Sequence, residues 1–346
     1  MNDYAAAGVS IKAGDQAVEL MKQWVEKSRR PEVVGGIGGF AGLFDASALK
    51  KFDRPLLATS ADGVGTKVAI AQMMDIHDTI GHDLVGMLVD DLVVVGAEPL
   101  FLTDYIACGK VVPERIAAIV KGIAEACAIT GTALLGGETA EHPGIMGPDD
   151  YDIAGSTTGV VEADKLLGPE LVSDGDFVIA MSSSGLHSNG YSLVRNVFFN
   201  IANWDLSRHV PEFGRTLGEE LLEPTRLYAK ACLDLAANTQ THAMSHITGG
   251  GIAANIARVI PPGLQVTIDR STWTPGPVFT TVTDLGSLEL TAAEQALNFG
   301  IGMVAIIDPD DADRAIQILA NHGIEAWVAG AVSANGSGAT LVGNYA

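Results

Sequence analysis

Apolar positions at Val18, Met21, Trp24 and Val25 recur every three or four residues, predicting an amphipathic helix over residues 15–30 that Pro31 stops. An extended apolar segment at 55–60 then predicts a strand that ends in the run DGVGTK, residues 62–67. Residues 80–96, dense in Leu, Val and Met, read as a helix, and residues 99–108, rich in Phe, Leu, Tyr and Ile, read as a strand. Pro113 opens a second amphipathic helix through Cys127, with Ile116, Ile119, Val120 and Ile123 on one face. A short strand at 133–135 leads into GGET at 136–139, and residues 152–161 predict another strand. Residues 163–176 show turn chemistry and no strong period, which places a domain boundary there. The second half reads as a strand at 177–181 entering SSSGLHSNG (182–190), a helix from Tyr191, and a helix at 224–237. It continues with the glycine cluster HITGGG (246–251), a strand running from NFGIGM (298–303) to Ile307, and a helix at 310–322.

Length and charge narrow what this pattern does. At 346 residues the chain is long enough for two domains. With 21 basic against 42 acidic residues its formal net charge is −21, which makes nucleic acid and anionic membrane poor partners. An anionic small molecule would need metal ions or backbone N–H groups to bind here. The three cysteines, Cys108, Cys127 and Cys232, have neither CxxC spacing nor a disulfide framework, and a reducing cytoplasm fits them. No signal peptide is expected at the N-terminus, and the apolar run at 87–97 is too short and too charged to span a membrane.

Four glycine-rich or acidic runs carry the candidate chemistry. GGIGGFAG (35–42) holds the GxGxxG/A spacing but follows a charged helix end instead of an apolar strand, so three readings stand: a dinucleotide fingerprint, a plain flexible loop, and a loop covering phosphate. DGVGTK places Asp62 to ligate Mg²⁺, Gly63 and Gly65 to let backbone approach phosphate, and Lys67 to offer a point charge; a turn with ordinary surface charges is the plain alternative. Asp90 and Asp91 interrupt an apolar stretch where a carboxylate needs a partner, and GGETAE adds Glu138 and Glu141. Together these runs point to Mg²⁺–ATP without a P-loop. In the second half, SSSGLHSNG is a plausible anion-binding loop; no GxSxG elbow accompanies it, which argues against a serine hydrolase. His246 reads equally as a structural histidine and a titrating one.

Taken in order, YAAAGVSIKAGD, RRPEVVGGIGGFAGLF, ADGVGTK, HDTIGHDLVGMLVDDLVVVGAEPLF, GGETAEHPG, SSSGLHSNGYSLVR, HITGGG and NFGIGM resemble the phosphoribosylformylglycinamidine cyclo-ligase (aminoimidazole ribonucleotide synthetase) family over nearly the full length. The resemblance implies an α/β (α+β) fold of two domains, 1–167 and 168–346. The first would bind ATP and Mg²⁺ and dimerise through its sheet; the second would complete an active-site cleft. It implies metal ligands at Asp62, Asp91 and Glu138, and ATP contacts at Gly35, Gly36, Gly38, Gly39, Asp62, Gly63, Gly65, Thr66, Lys67, Asp91, Gly137, Glu138 and Thr139. Ribonucleotide contacts follow at Ser184, Gly185, His187, Ser188, Asn189, Thr248, Gly249 and Gly250, with His187, His246 and Lys67 as catalytic candidates. The implied activity is ATP-dependent closure of an imidazole ring by a cytoplasmic homodimer, with K⁺ as an open requirement. A non-catalytic nucleotide-binding homologue is the alternative, against which the retained DGVGTK and GGETAE argue. The chain departs from the family pattern twice. Asp90-Asp91 stands where Asn-Asp is common, adding a carboxylate beside the expected metal, and residues 291–297 read TAAEQAL where an Arg and a Thr are usual.

Overall fold

The computed structural model describes residues 10–36 and 39–346. The chain divides into two compact units, residues 1–92 with 97–164, and residues 93–96 with 165–346. Residues 93–96 go with the second unit partly because the Leu167 N–H donates to the Val95 carbonyl at 3.2 Å.

In the first unit, helix α1 (Ile11–Lys27) starts on Ser10, whose hydroxyl accepts from the Ala13 N–H. It is followed by β1 (Pro55–Gly63), α2 (Ile80–Val93), β2 (Glu98–Cys108), α3 (Pro113–Thr130), β3 (Ala133–Glu141) and β4 (Tyr151–Glu162). The sheet order is β1-β4-β2-β3. β4 lies antiparallel to both neighbours, whereas β2 and β3 are parallel and therefore need the crossover that α3 supplies. That helix begins on Pro113 at its first turn and ends at Gly131 with φ +77°, burying Ile116, Ile119, Val120 and Ile123 as the periodicity requires. Along β2, Leu102, Asp104, Ile106 and Cys108 are buried while Thr103 and Tyr105 face out.

The second unit contains β5 (Phe177–Ser182), α4 (Ala229–Asn238), β6 (Thr241–His246), α5 (Gly251–Ala257), β7 (Gly263–Asp269), α6 (Pro277–Gly286), β8 (Ile301–Ile307), α7 (Ala312–Asn321), β9 (Ala326–Gly336) and β10 (Gly338–Val342). The sheet order is β6-β8-β5-β9-β7-β10, antiparallel except for the β7/β10 pair. All seven residues of β8 are buried, which accounts for its unbroken apolar run in place of alternation. Among the described residues, no helix is long and apolar enough to cross a membrane.

Several elements differ from the sequence expectation. GGETAE is not a loop after a short strand but the second half of β3, because its backbone pairs with β2 from Gly136 to Glu141. The helix expected from residue 224 starts at Ala229, and the one from Tyr191 keeps α geometry only through Arg195 before a π segment, Asn196–Ile201. A five-residue α segment offers little dipole to the loop ahead of it.

Candidate active site

The first unit carries the expected phosphate and metal residues. β1 delivers Asp62 at its end, exposed, with its Oδ1 accepting from the Gly63 N–H at 2.7 Å. Gly65 follows at φ +72°, a left-handed conformation that suits glycine. Asp91, Glu138, Gly65, Thr66 and Gly137 are exposed and Gly63 and Thr139 are half-buried; Gly35, Gly36 and Gly39 are exposed, and Gly38 lies outside the described residues. The register places Asp62 opposite Gly155, which faces Asp104, whereas Glu138 pairs with Tyr105 on the outward face. Among the described residues no three His, Cys, Asp or Glu side chains form a metal cluster. Asp90, the added carboxylate, is fully buried, while its helix neighbour Asp91 is exposed. Glu141 is also no free ligand, since its two oxygens accept from the Val111 and Ser10 N–H groups at 2.7 Å each.

Lys67 departs furthest from its expected role. Its ammonium is fully buried and pairs at 2.7 Å with Asp83 of α2, itself fully buried, so it faces a carboxylate inside the unit and not a phosphate at the surface.

A buried acid that the sequence did not single out lies beneath GGET. Asp104 packs over Gly137, where a Cβ would stand 2.2 Å from its Oδ1, so only glycine leaves room for the carboxyl. Burial pushes this carboxyl up to about 7. The folded value lies above the unfolded one, so the native chain holds an extra proton between the two, and stability falls as pH rises from about 4 to about 7. Above that window the loss is complete. Asp104→Asn keeps the shape but cannot ionise, so it is expected to gain stability over the parent at pH 8, on the order of 1 kcal/mol or more, and far less at pH 4.5. Urea melts at the two pH values check this; an equal difference at both would refute it.

In the second unit, the two candidate ribonucleotide loops lie side by side, since a Cβ on Gly249 would come within 4.0 Å of Asn189 Oδ1. Ser184 donates its hydroxyl to the Pro224 carbonyl at 2.6 Å and its N–H to His187 Nε2 at 3.2 Å. In neutral His187 the proton consequently sits on Nδ1. The residue is only 1% exposed, at φ +57°, with its ring 6.1 Å from that of Tyr228. His246 is likewise buried, at the end of β6 opposite Met303. Neither imidazole is a surface group. Ser188 Oγ and Asn189 Nδ2 are buried without a hydrogen-bond partner, two polar groups whose desolvation a ligand would offset. Thr248, Gly249 and Gly250 are shaped by Asn255 of α5, whose Nδ2 donates to the carbonyls of Thr248, Gly249 and Gly251 at 3.1, 3.3 and 2.9 Å.

Residues 44–161 match the family described as AIR synthase related protein, N-terminal domain, and residues 173–343 match its C-terminal domain. A phosphoribosylformylglycinamidine cyclo-ligase of Geobacillus kaustophilus (strain HTA426) is 49% identical over 340 residues, covering 98% of this chain and 98% of that protein. The chain belongs to the phosphoribosylformylglycinamidine cyclo-ligase family. Among solved structures it is similar to thiamine-monophosphate kinase from Stenotrophomonas maltophilia K279a, with a TM-score of 0.70 and 18% identity, covering 94% of this chain and 97% of that one. The hydrogenase maturation protein HypE in complex with ATP gives a TM-score of 0.66 at 17% identity, covering 95% and 89%. At such identities these two show the fold alone, the two α/β domains expected of the family.

The altered stretch at 291–297 of this family member makes contacts that its sequence does not announce. Glu294, in the short helical turn Leu290–Glu294, forms a bidentate pair with Arg270 at 2.7 and 2.8 Å and accepts from the Tyr345 hydroxyl at 2.7 Å. Its carbonyl lies so close to Gly251 that a Cβ there would stand 1.6 Å away, and the Ala296 carbonyl stands 2.7 Å from the corresponding point on Gly190. Asn298 Nδ2 donates to the Gly185 carbonyl at 2.9 Å. One segment therefore braces all three loop ends, and neither the ion pair nor Asn255 had a local sequence signal.

Proposed function

We propose that this chain closes the imidazole ring of 5-aminoimidazole ribonucleotide in purine biosynthesis, as a ligase that forms a C–N bond and converts ATP to ADP and phosphate. The carrying observation is the 49% identity to a cyclo-ligase across 98% of both chains. The substrate is formylglycinamidine ribonucleotide. Its formamide oxygen is a very poor leaving group until ATP phosphorylates it; the neighbouring amidine nitrogen then attacks that carbon, the C–O bond breaks, phosphate leaves, and the nitrogen gives up a proton as the ring forms.

The residues would divide this work as follows. Asp62, Asp91 and Glu138 fit Mg²⁺ because they are exposed oxygen donors, and sites that share Mg²⁺ with nucleotide phosphates need only one or two carboxylates. When bound, that ion neutralises charge on the transferring phosphoryl group. Gly35, Gly36 and Gly39, with the turn at Gly63 to Thr66 and with Gly137 and Thr139, present backbone and hydroxyl groups to the nucleotide. Lys67 acts from beneath, holding the turn through Asp83. Ser184, Gly185, Ser188, Asn189 and Thr248 to Gly250 hold the ribonucleotide, for which the unpartnered Ser188 and Asn189 atoms are the support. His187 or His246 carries the ring-closure proton, and alanine at each with unchanged turnover would dismiss that role. A homodimer is supported by Leu57 and Tyr105, exposed on the same outward sheet face as Glu138, and three buried cysteines outside any disulfide suit a reducing cytoplasm.

The test combines purified protein, ATP, Mg²⁺ and formylglycinamidine ribonucleotide, with the product read as its coloured diazo derivative. Product with matching ADP is expected; bound ATP without product would overturn the reading. Asp62→Asn is expected to lower kcat/KM about tenfold or more, a loss of roughly 1.4 kcal/mol in transition-state stabilisation, with an unchanged melt.

A further inference from the structure

The second unit contains a cavity of about 520 Å³ that shares only Ser184 and Gly185 with the ribonucleotide assignments. Trp273, Trp327 and Phe279 form its apolar wall. Both indoles are fixed by their own N–H groups, Trp273 donating to the Phe299 carbonyl at 2.8 Å and Trp327 to the Thr272 hydroxyl at 3.2 Å. They therefore offer the cavity ring surface and no donor. The polar side of the wall is mostly acceptors; the Ser182 hydroxyl, which accepts from the Arg226 guanidinium at 3.3 Å, keeps its own proton. Ser183 and Ser184 spend their hydroxyl protons on the Gly185 and Pro224 carbonyls, leaving lone pairs to receive a ligand. Glu220 is tied to Arg215 at 2.7 Å, while Glu325, at the cavity and exposed, forms no ion pair among the described residues. No Lys, Arg or His is in the lining.

This inventory excludes one ligand class and selects another. A phosphate would lose its hydration, find no cation in the lining and meet the Glu325 carboxylate, while Glu220 is already held by Arg215. A flat group rich in N–H donors satisfies the serine and glutamate oxygens while its ring or delocalised plane lies on the aromatic wall. We propose that this cavity binds a planar amino-heterocycle or amidine whose phosphate, if it has one, stays outside. Two sources share that chemistry, the nitrogen-bearing end of the ribonucleotide and a free aminopurine. Ser184 and Gly185 border both the cavity and the ribonucleotide loop, so assigning the first source rests on the ring-closure reading; the cavity's chemistry does not.

The experiment reads binding without turnover, so a failed ring-closure assay leaves it interpretable. Tryptophan emission of the full chain is titrated with 5-aminoimidazole-4-carboxamide riboside, adenosine and ribose 5-phosphate. Saturable quenching by the riboside or by adenosine is expected, with none from ribose 5-phosphate. Trp327→Phe is expected to remove most of the quenching, and Glu325→Gln, at an exposed site where folding is not at stake, to weaken binding roughly fivefold or more. Riboside quenching reversed by formylglycinamidine ribonucleotide assigns the substrate's own end to the cavity; quenching by adenosine alone assigns an aminopurine. Absence of saturable quenching by either probe, or equal affinity in the parent and Glu325→Gln, overturns the proposal.

Discussion

Lys67→Met is expected to destabilise the first unit by about 3–5 kcal/mol, because it leaves the Asp83 carboxylate buried without its ammonium. Both side chains have no exposed surface and their charged atoms are 2.7 Å apart, so neither can turn to water without opening the packing around them. Asp83→Ala is expected to cost a similar amount for the mirror reason. The pair taken together behaves differently: Lys67→Met with Asp83→Leu removes both charges and is expected to recover most of the loss, since a buried ion pair contributes little beyond a well-packed apolar one. Urea denaturation of the four proteins in the cycle measures this. A surface lysine reaching for phosphate predicts the opposite outcome, weaker ATP binding with an unchanged midpoint in Lys67→Met, and that result would return Lys67 to the nucleotide.

Lys67 also marks how far the sequence was legible. DGVGTK shows a charge after a strand, and a charge beside glycines reads as a phosphate contact until its partner is known. That partner lies 16 residues on, in a helix whose packing depends on the whole unit. Elements with a strong period were readable: α3 from Pro113 and its apolar stripe, β8 from an unbroken run. Propensity alone cuts β3 short at Gly136 and Gly137, which are turn residues by type, yet in the strand Gly137 makes room for the Asp104 carboxyl. β9 and β10, dense in Ala and Gly, carry no clear alternation, and their pairing with β5 and β7 is a tertiary fact. The glycine-rich loops were found because their composition is unusual; Asn255 and Asn298, which hold them, are ordinary polar residues until seen buried at 2% and 1% exposure. The cavity of Trp273 and Trp327 is assembled from segments that are far apart in sequence and was invisible for the same reason.

Glu294→Ala is expected to cost about 3–5 kcal/mol in the second unit, and its functional effect separates bracing from mere stability. Arg270, 9% exposed, would lose both hydrogen bonds of its bidentate pair and keep the Gly343 carbonyl at 3.2 Å and the Tyr345 ring at 5.9 Å. Tyr345 would lose its acceptor as well, while remaining stacked on Phe299 at 5.4 Å. Glu294 also fixes a backbone on which Gly251 rests directly, so displacement reaches the loop of Thr248 to Gly250 and, through Ala296 and Asn298, the loops at Gly190 and Gly185. Those loops are assigned to the ribonucleotide and none to ATP. The expected signature is therefore a KM for the ribonucleotide raised about tenfold, equivalent to roughly 1.4 kcal/mol, with KM for ATP changed less than about twofold. Glu294→Gln keeps the shape and one acceptor oxygen, so it should fall between the parent and the alanine variant on both scales. Hydrogen exchange adds a readout that does not depend on turnover: the amides of residues 185–190 and 249–251 should exchange faster in Glu294→Ala under conditions where β8 remains protected. A lower melting temperature with both KM values and those amides unchanged would show that Arg270, Glu294 and Tyr345 hold the unit together without positioning its loops.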